Sequence, residues 1–101
     1  MIDLKQLQKR VYKNKVSKGF NVTDINKEFC FIYGEVSEAC EAYMKKKDDL
    51  GEELADVALY LLGLSEILGI NLEEEILNKM DKNEQRQYIE KDGVMIKVNK
   101  A

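Results

Sequence analysis

The sequence predicts an all-α protein, and three observations support this. The chain contains no proline, the residue that most strongly disrupts helix interiors. Gly19 and Gly69 stand where helical patterns end, as glycine does at helix C-termini. Apolar residues recur three and four positions apart along most of the chain, the spacing that gives a helix one buried face. A chain of 101 residues has room for one domain, so we expect a single domain over residues 1–101.

Two helices are expected in the first half of the chain. The first runs from about Asp3 to Ser17, and Gly19 ends it. The second begins after Thr23, a suitable N-cap, and continues to about Lys46. Helical spacing predicts that its buried face consists of Ile25, Phe29, Ile32, Val36, Cys40 and Tyr43.

The third helix is the most apolar segment. Asp49 and Glu52 resemble a capping box at its start, and Gly69 stops it after Leu68. Residues 57–64 are apolar nearly all the way round, so this helix needs cover on more than one side. Three other short helices offer little such cover, so we expect a four-helix bundle completed by homo-oligomerisation.

The last part of the chain is expected to hold a fourth helix and a short hairpin. Asn71 is a suitable cap for a helix that extends to about Gln87, which completes a helical core over about residues 3–87. The tail, residues 88–101, contains Asp92-Gly93 between apolar residues. That pattern predicts a C-terminal β-hairpin.

Composition excludes several classes of function. A formal net charge of −3 and a pI of about 5.1 argue against nucleic-acid and anionic-membrane partners, which select for basic surfaces. No apolar run approaches the roughly 20 residues of a membrane span, and the N-terminal residues lack the apolar region of a signal peptide. Cys30 and Cys40 lie too far apart on one helix for a disulfide and are expected to be buried thiols. A cytoplasmic protein is therefore expected.

Histidine is absent. Its absence removes zinc sites of the histidine–cysteine kind, serine–histidine–aspartate hydrolysis and the Glu-x-x-His pairs of di-iron bundles. Any chemistry of this chain must therefore rest on carboxylates, a metal ion and water.

Two matched acidic pairs, Glu35-x-x-Glu38 and Glu53-x-x-Asp56, are the principal candidates for a site. Residues three apart project from one face of a helix, about 5–6 Å from each other. If the second and third helices pack side by side, four carboxylates converge, and such a cluster needs a cation because like charges that close cannot all stay ionised. Mg²⁺ prefers oxygen ligands and commonly shares them with substrate phosphates.

An ordinary solvated surface is the alternative interpretation of these acids, because the chain has 19 acidic residues. One Glu-x-x-Glu pair alone favours that alternative. Two pairs on neighbouring helices, each beside an apolar stripe, favour a metal site. Tyr60 and Gly63 continue the line of Glu53 and Asp56 at helical spacing, and a glycine there would admit a partner backbone or a ligand.

The fourth helix carries a stripe of hydrogen-bond donors, formed by Lys79, Lys82, Asn83 and Arg86. Arginine presents a planar fork and lysine a point charge, and both suit phosphate oxygens. The alternative is that basic residues simply complement the dipole at a helix C-terminus. Together with the acidic cluster, the stripe indicates a site for a nucleoside triphosphate.

These motifs resemble those of the MazG-like all-α nucleotide pyrophosphohydrolases. Glu-x-x-Glu, a spacer of fourteen residues and Glu-x-x-Asp match that family's acidic signature. Residues 78–86, with Lys79, Asn83 and Arg86, resemble its Lys…Asn…Arg element. The resemblance extends over about residues 15–88.

The resemblance implies a MazG-like bundle and a Mg²⁺-dependent enzyme, with Mn²⁺ as a substitute ion. It would cleave a (d)NTP between the α- and β-phosphates to (d)NMP and pyrophosphate, as in housecleaning of the nucleotide pool. Glu35, Glu38, Glu53 and Asp56 would hold the metal, and Glu35 or Glu38 would act as general base. The donor stripe would neutralise the phosphates. Family members assemble as dimers or tetramers.

The base of the substrate is less well indicated. Relatives that prefer dCTP sandwich the base between aromatic residues. This chain has no tryptophan, and the candidates for stacking are Phe20, Phe29, Tyr33 and Tyr60, of which Phe20 and Tyr60 are assigned to the substrate. Each is also a reasonable core residue.

Two other interpretations remain open. A non-enzymatic helical interaction protein would have the same acidic surface and use the third helix as a binding face. A phosphoribosyl-ATP pyrophosphohydrolase has a related fold and related acidic motifs. The Glu-Leu-Ala-Asp-Val form of the second pair favours the MazG-like branch.

Overall fold

The computed structural model describes residues 1–98. Within them the chain forms four helices followed by two strands, which confirms the predicted order of elements. The helices and strands are α1 (Leu4–Ser17), α2 (Ile25–Met44), α3 (Leu50–Ile67), α4 (Leu72–Gln85), β1 (Gln87–Lys91) and β2 (Val94–Val98).

Short polar side chains cap three of the four helices. The side chains of Asp3, Asp24 and Asn71 accept hydrogen bonds from backbone N–H groups in the first turns of α1, α2 and α4, as N-caps do. The expected cap Thr23 is therefore wrong by one residue, since Asp24 takes this position. Asp49 precedes α3 but makes no side-chain cap hydrogen bond, so the predicted capping box is not formed.

The centre of the molecule is the α2–α3 pair, and α1 also packs on α3. The tertiary contacts of α4 are made mainly with α1. The buried apolar core is small, and it consists of Ile32, Ala39, Ala42, Leu62 and Leu64. Small alanine side chains on α2 let the two central helices approach closely.

The face of α2 that packs on α3 differs from the predicted one. Ile32 is buried as expected, whereas Phe29, Val36 and Tyr43 are 45%, 49% and 71% exposed. The buried positions of this helix are Glu28, Ile32, Ala39 and Ala42. The packed face is thus rotated by about one residue, so Glu28 is buried and Glu35 half-buried, whereas the larger apolar side chains point outward.

Gly63 is buried between α3 and α1. A Cβ atom there would lie 3.1 Å from Cγ1 of Val11 and 3.3 Å from Cδ of Lys15, closer than ordinary contact. The expected close approach at this glycine therefore exists, but its partner is α1 of the same chain.

Much apolar surface stays uncovered in one chain. On α3, Leu54, Leu59 and Leu61 are 56%, 43% and 42% exposed. The radius of gyration is 17.2 Å, against about 13 Å for a compact domain of 100 residues. A single copy therefore leaves α3 partly bare, and the oligomer stays a prediction. Cys30 and Cys40 are free and exposed, so the expectation of buried thiols is wrong.

β1 and β2 form the predicted antiparallel hairpin. Asp92 and Gly93 both have positive φ, 53° and 77°, as a two-residue type I′ turn requires. The register pairs Ile89 with Ile96, which puts apolar side chains on one face. In the described part of the chain the hairpin has no extensive contact with a helix. Among residues 1–98, no helix is both long and apolar enough to cross a bilayer.

Candidate metal centre

Packing of α2 on α3 brings three of the predicted carboxylates together. Oxygens of Glu35 and Glu38 from α2 and of Glu53 from α3 all lie within 4.8 Å of one another. Glu38 is exposed, whereas Glu35 and Glu53 are half-buried. The cluster therefore opens to solvent on the Glu38 side, where an ion and a phosphate could enter.

Two oxygens of this cluster lack hydrogen-bond partners among the described residues. Oε2 of Glu35 and Oε2 of Glu53 are both buried from solvent, and neither accepts a hydrogen bond there. Buried polar atoms are nearly always satisfied, and an exception commonly marks an ion or water site. Hard carboxylate oxygens that lack protein donors are the ligands that Mg²⁺ prefers, so the donor set fits this ion.

Burial and mutual repulsion raise the pKa of two carboxyl groups in the cluster. The pKa of Glu35 is raised above 4.5 by desolvation and then by the charges of Glu38, Asp56 and Glu53. The pKa of Glu53 is raised by desolvation and by the charges of Glu38, Asp49 and Asp56. A divalent cation would relieve both effects, because it stabilises the ionised carboxylates.

Asp56, the fourth predicted ligand, stands at the margin of the cluster. It is exposed and is not among the three residues whose oxygens meet within 4.8 Å. Its charge nevertheless reaches Glu35 and Glu53, since it contributes to both raised pKa values. Asp56 therefore adds negative charge to the cluster without belonging to its close group of three carboxylates.

An aromatic groove begins directly beside Asp56. It has a volume of about 220 Å³ and is lined by residues that include Asp56, Phe20 and Tyr60. A second hollow of about 190 Å³ shares Phe20 and Tyr60 and adds Phe31. The ring centroids of Phe31 and Tyr60 are 6.1 Å apart in an edge-to-face arrangement. Both aromatic residues assigned to the substrate thus line one groove next to the acidic cluster.

Comparison with known proteins identifies the family. A model of the MazG-like family matches residues 21–99, which include both acidic pairs, Tyr60 and the donor stripe. The chain belongs to the MazG-like family. Neither the curated proteins nor the solved structures give a match to this chain.

The donor stripe of this MazG-like chain lies away from the acidic cluster. Lys79, Lys82 and Asn83 are exposed on α4, and α4 packs mainly on α1. Arg86 donates to Oδ1 of Asn83 at 3.2 Å, so two members of the stripe contact each other. Within the described part of one chain, the acids and the donors belong to separate surfaces.

Sequence reasoning missed a buried polar group beside the aromatic groove of this MazG-like chain. Lys15 of α1 and Glu28 of α2 form an ion pair and are 8% and 1% exposed. The available signal was that Gln8, Val11 and Lys15 share one helical face, so a charged residue lies on the packed side of α1.

Proposed function

We propose that this MazG-like protein is a Mg²⁺-dependent nucleoside triphosphate pyrophosphohydrolase. Water would add across the anhydride between the α- and β-phosphates, which gives the nucleoside monophosphate and pyrophosphate. The observation that carries the proposal is the carboxylate cluster of Glu35, Glu38 and Glu53, with two buried oxygens that lack partners among residues 1–98. A hydrolase of nucleoside triphosphates suits such a cluster because Mg²⁺ commonly binds protein carboxylates and phosphates together.

The four carboxylates would bind the metal ion and accept a proton from water. Glu35, Glu38 and Glu53 would hold the ion, with Asp56 completing the set from its exposed position. Mg²⁺ when bound polarises phosphate oxygens and lowers the pKa of a coordinated water. Glu38 or Glu35 would accept the proton of the attacking water at a carboxylate oxygen. The exposure of Glu38 favours it for this role, because water reaches its carboxylate from the solvent side.

The phosphates would be neutralised by the donor stripe of a second copy. In one chain Lys79, Asn83 and Arg86 are remote from the cluster, and α4 has no buried residue. Ile76, Leu77 and Met80 on the same helix are 38%, 59% and 51% exposed, so α4 has apolar surface for packing on a partner. A homodimer or homotetramer would therefore complete both the core and the site.

The base would lie in the aromatic groove between Phe20 and Tyr60. Phe20 is 56% exposed, and an exposed aromatic ring on a groove offers a surface for stacking. Because Asp56 lines this groove, a base bound there would lie near phosphates held by the proposed metal. These features support action on nucleotides in the free pool.

The test is a panel of common and modified NTPs and dNTPs, incubated with the full-length protein and Mg²⁺ and assayed for pyrophosphate. We expect release from at least one nucleotide and none in the presence of a chelator. Mn²⁺ should restore activity after chelation, because it also binds carboxylate and phosphate oxygens.

Inactivity across the panel, with no Mg²⁺ binding by calorimetry, would contradict the proposal and favour an interaction protein. Growth of a histidine auxotroph that lacks phosphoribosyl-ATP pyrophosphohydrolase, rescued by this chain, would assign the protein to that activity instead.

A further inference from the structure

The Lys15–Glu28 ion pair joins α1 to α2 in the interior of the chain. The Lys15 side chain is 8% exposed and the Glu28 side chain 1% exposed. Oε2 of Glu28 also accepts a hydrogen bond from Nδ2 of Asn21 at 3.1 Å. Asn21 lies in the connector between the two helices, so one carboxylate ties together a helix, a second helix and the connecting loop.

Such a pair is a poor choice for stability alone. Two charges removed from water lose their hydration, and their attraction often fails to compensate for it. Replacement of a buried pair by apolar residues of similar volume is often neutral or stabilising. The pair takes up part of a small core, so its value should be sought in the side chains that it positions.

Tyr60 is the first of these side chains. Nζ of Lys15 lies 4.9 Å from the centroid of the Tyr60 ring, within the range of a cation–π contact. Lys15 crosses α3 at Gly63, where a Cβ atom would lie 3.3 Å from its Cδ. The glycine thus gives the lysine the space to reach Tyr60 and Glu28 together.

Phe20 is the second side chain that the ion pair positions. It directly precedes Asn21, which is held by Glu28 and by two hydrogen bonds with Asp24, at 2.9 and 3.1 Å. The same polar network thus contacts Tyr60 through Lys15 and adjoins Phe20, whose backbone N–H donates to O of Lys15 at 2.9 Å and whose chain neighbour is Asn21. Both hollows of the aromatic groove are lined by Lys15, Phe20 and Tyr60.

We propose that the Lys15–Glu28 pair is a positioning element that holds Phe20 and Tyr60 as the two walls of a slot for the nucleotide base. This inference rests on the proposed function, since it concerns how the same site takes its substrate. Among residues 1–98, the side-chain hydrogen bonds and the ion pair of Lys15 and Glu28 join them to each other and to Asn21, and not to Glu35, Glu38, Glu53 or Asp56. Loss of the pair should weaken recognition of the base and leave recognition of the triphosphate unchanged.

The test compares two probes by calorimetry in Mg²⁺. One is a set of four α,β-methylene deoxynucleoside triphosphates, which resist cleavage at the proposed bond, and the other is inorganic tripolyphosphate. The first variant is Lys15→Met with Glu28→Met, which removes both charges and keeps the volume. This variant should fold. Its affinity for the nucleotide that the wild type binds most tightly should fall by about tenfold or more, equivalent to about 1.4 kcal/mol. Its affinity for tripolyphosphate should equal that of the wild type.

Two further variants separate positioning from stability. Lys15→Arg keeps the ion pair and the cation over Tyr60, and it should retain nucleotide affinity to within about threefold, or about 0.65 kcal/mol. The exchange Lys15→Glu with Glu28→Lys keeps an ion pair but places a carboxylate near the negative face of the Tyr60 ring. The thermal midpoint of this exchanged variant should equal that of the wild type, and its affinity for nucleotide should still fall.

Three results would overturn the positioning role. They are undiminished nucleotide affinity in the Met–Met variant, an equal loss for nucleotide and tripolyphosphate, and full recovery of nucleotide affinity in the exchanged pair. A wild-type protein that binds tripolyphosphate as tightly as every nucleotide would also overturn it, while leaving the metal site intact. A wild-type protein that binds neither probe and releases no pyrophosphate would instead remove the proposed function, and the positioning role with it.

Discussion

At the scale of single residues, the site disfavours the ionised forms of Glu35 and Glu53. Each buries a carboxylate oxygen without a partner among the described residues, and each has a raised pKa. A raised folded-state pKa means that the folded protein binds more protons than the unfolded chain at intermediate pH. Stability without metal should therefore increase as the pH falls from neutral towards 4.5, the usual value for a glutamate.

The first prediction concerns pH and Mg²⁺ together. Without metal, Glu35 and Glu53 should make the protein more stable at about pH 5 than at about pH 7, because protonation removes the desolvation cost of their charges and also their repulsion. At neutral pH, Mg²⁺ at about a hundred times its Kd should add about 2.7 kcal/mol. Thermal denaturation with and without Mg²⁺ measures both effects.

Glu53→Gln is the variant that checks the cause, because it removes one charge and keeps the shape. It should flatten the pH dependence and lose most of the Mg²⁺ stabilisation. An unchanged response to Mg²⁺ in this variant would place the ion elsewhere.

The second prediction concerns catalysis. Glu38→Gln should lower kcat by about a hundredfold or more, because it removes a metal ligand and a candidate base. The matched control is Glu52→Gln, at an exposed position beside Glu53 and outside the three-residue cluster. Steady-state pyrophosphate release from the preferred nucleotide gives both values. Equal activity in the two variants would remove Glu38 from the site.

Residue spacing predicted part of this site and could not predict the rest. Glu35 with Glu38 is a local i, i+3 relation, which a sequence shows directly. Lys15 and Glu28 lie thirteen positions apart on different helices, so their contact depends on how α1 packs. The position of α4 likewise depends on packing, and one chain does not bring Lys79 to the acids.

At the scale of elements, α4 is held to the rest of the chain largely by polar contacts. Gln8 of α1 is 3% exposed. Its amide nitrogen donates to O of Ile70 at 2.6 Å and to Oε1 of Glu66 at 3.2 Å, and its oxygen accepts from N of Leu72 at 3.3 Å. Gln8 thus fixes the start of the helix that carries the donor stripe.

The third prediction is that Gln8→Leu destabilises the protein by about 2 kcal/mol, because it leaves buried polar groups without partners. Since α4 would be less firmly placed, KM should also rise. Gln6→Leu, at an exposed position on the same helix, should change neither quantity. Denaturant unfolding and steady-state kinetics are the measurements, and equal stability of the two variants would contradict the structural role of Gln8.

Helix order and most helix ends followed from local chemistry. Asn71 caps α4 as expected, and Gly69 has a φ of +70° after α3. The buried face of α2 did not follow, because periodicity alone cannot tell which of two adjacent stripes packs within the chain. Ala39 and Ala42 lie on the buried face of α2, where small side chains permit close packing of helices.

At the scale of the whole molecule, one chain leaves large apolar side chains exposed on α2 and α3. Phe29, Tyr33 and Val36 form an exposed apolar stripe on α2, 45%, 72% and 49% exposed. Extended apolar patches of this kind mark interaction surfaces. Such a stripe next to an uncovered α3 favours association with a second copy.

The fourth prediction is that the protein forms a dimer or tetramer in light scattering after size exclusion. Phe29→Ser with Val36→Ser should shift it towards the monomer, because the stripe loses apolar area. Glu41→Ser, an exposed substitution elsewhere on α2, should leave the mass unchanged. A wild-type monomer at all concentrations would contradict the oligomer and require another route for the donors to reach the site.

The central claim, hydrolysis between the α- and β-phosphates at the Glu35–Glu38–Glu53 cluster, is tested most directly by the identity of the products. ³¹P NMR of the preferred nucleotide, incubated with the protein and Mg²⁺, should show nucleoside monophosphate and pyrophosphate in equal amounts, and their formation should be slower by about a hundredfold or more with Glu38→Gln. Formation of nucleoside diphosphate and orthophosphate, or unchanged turnover by Glu38→Gln, would contradict it.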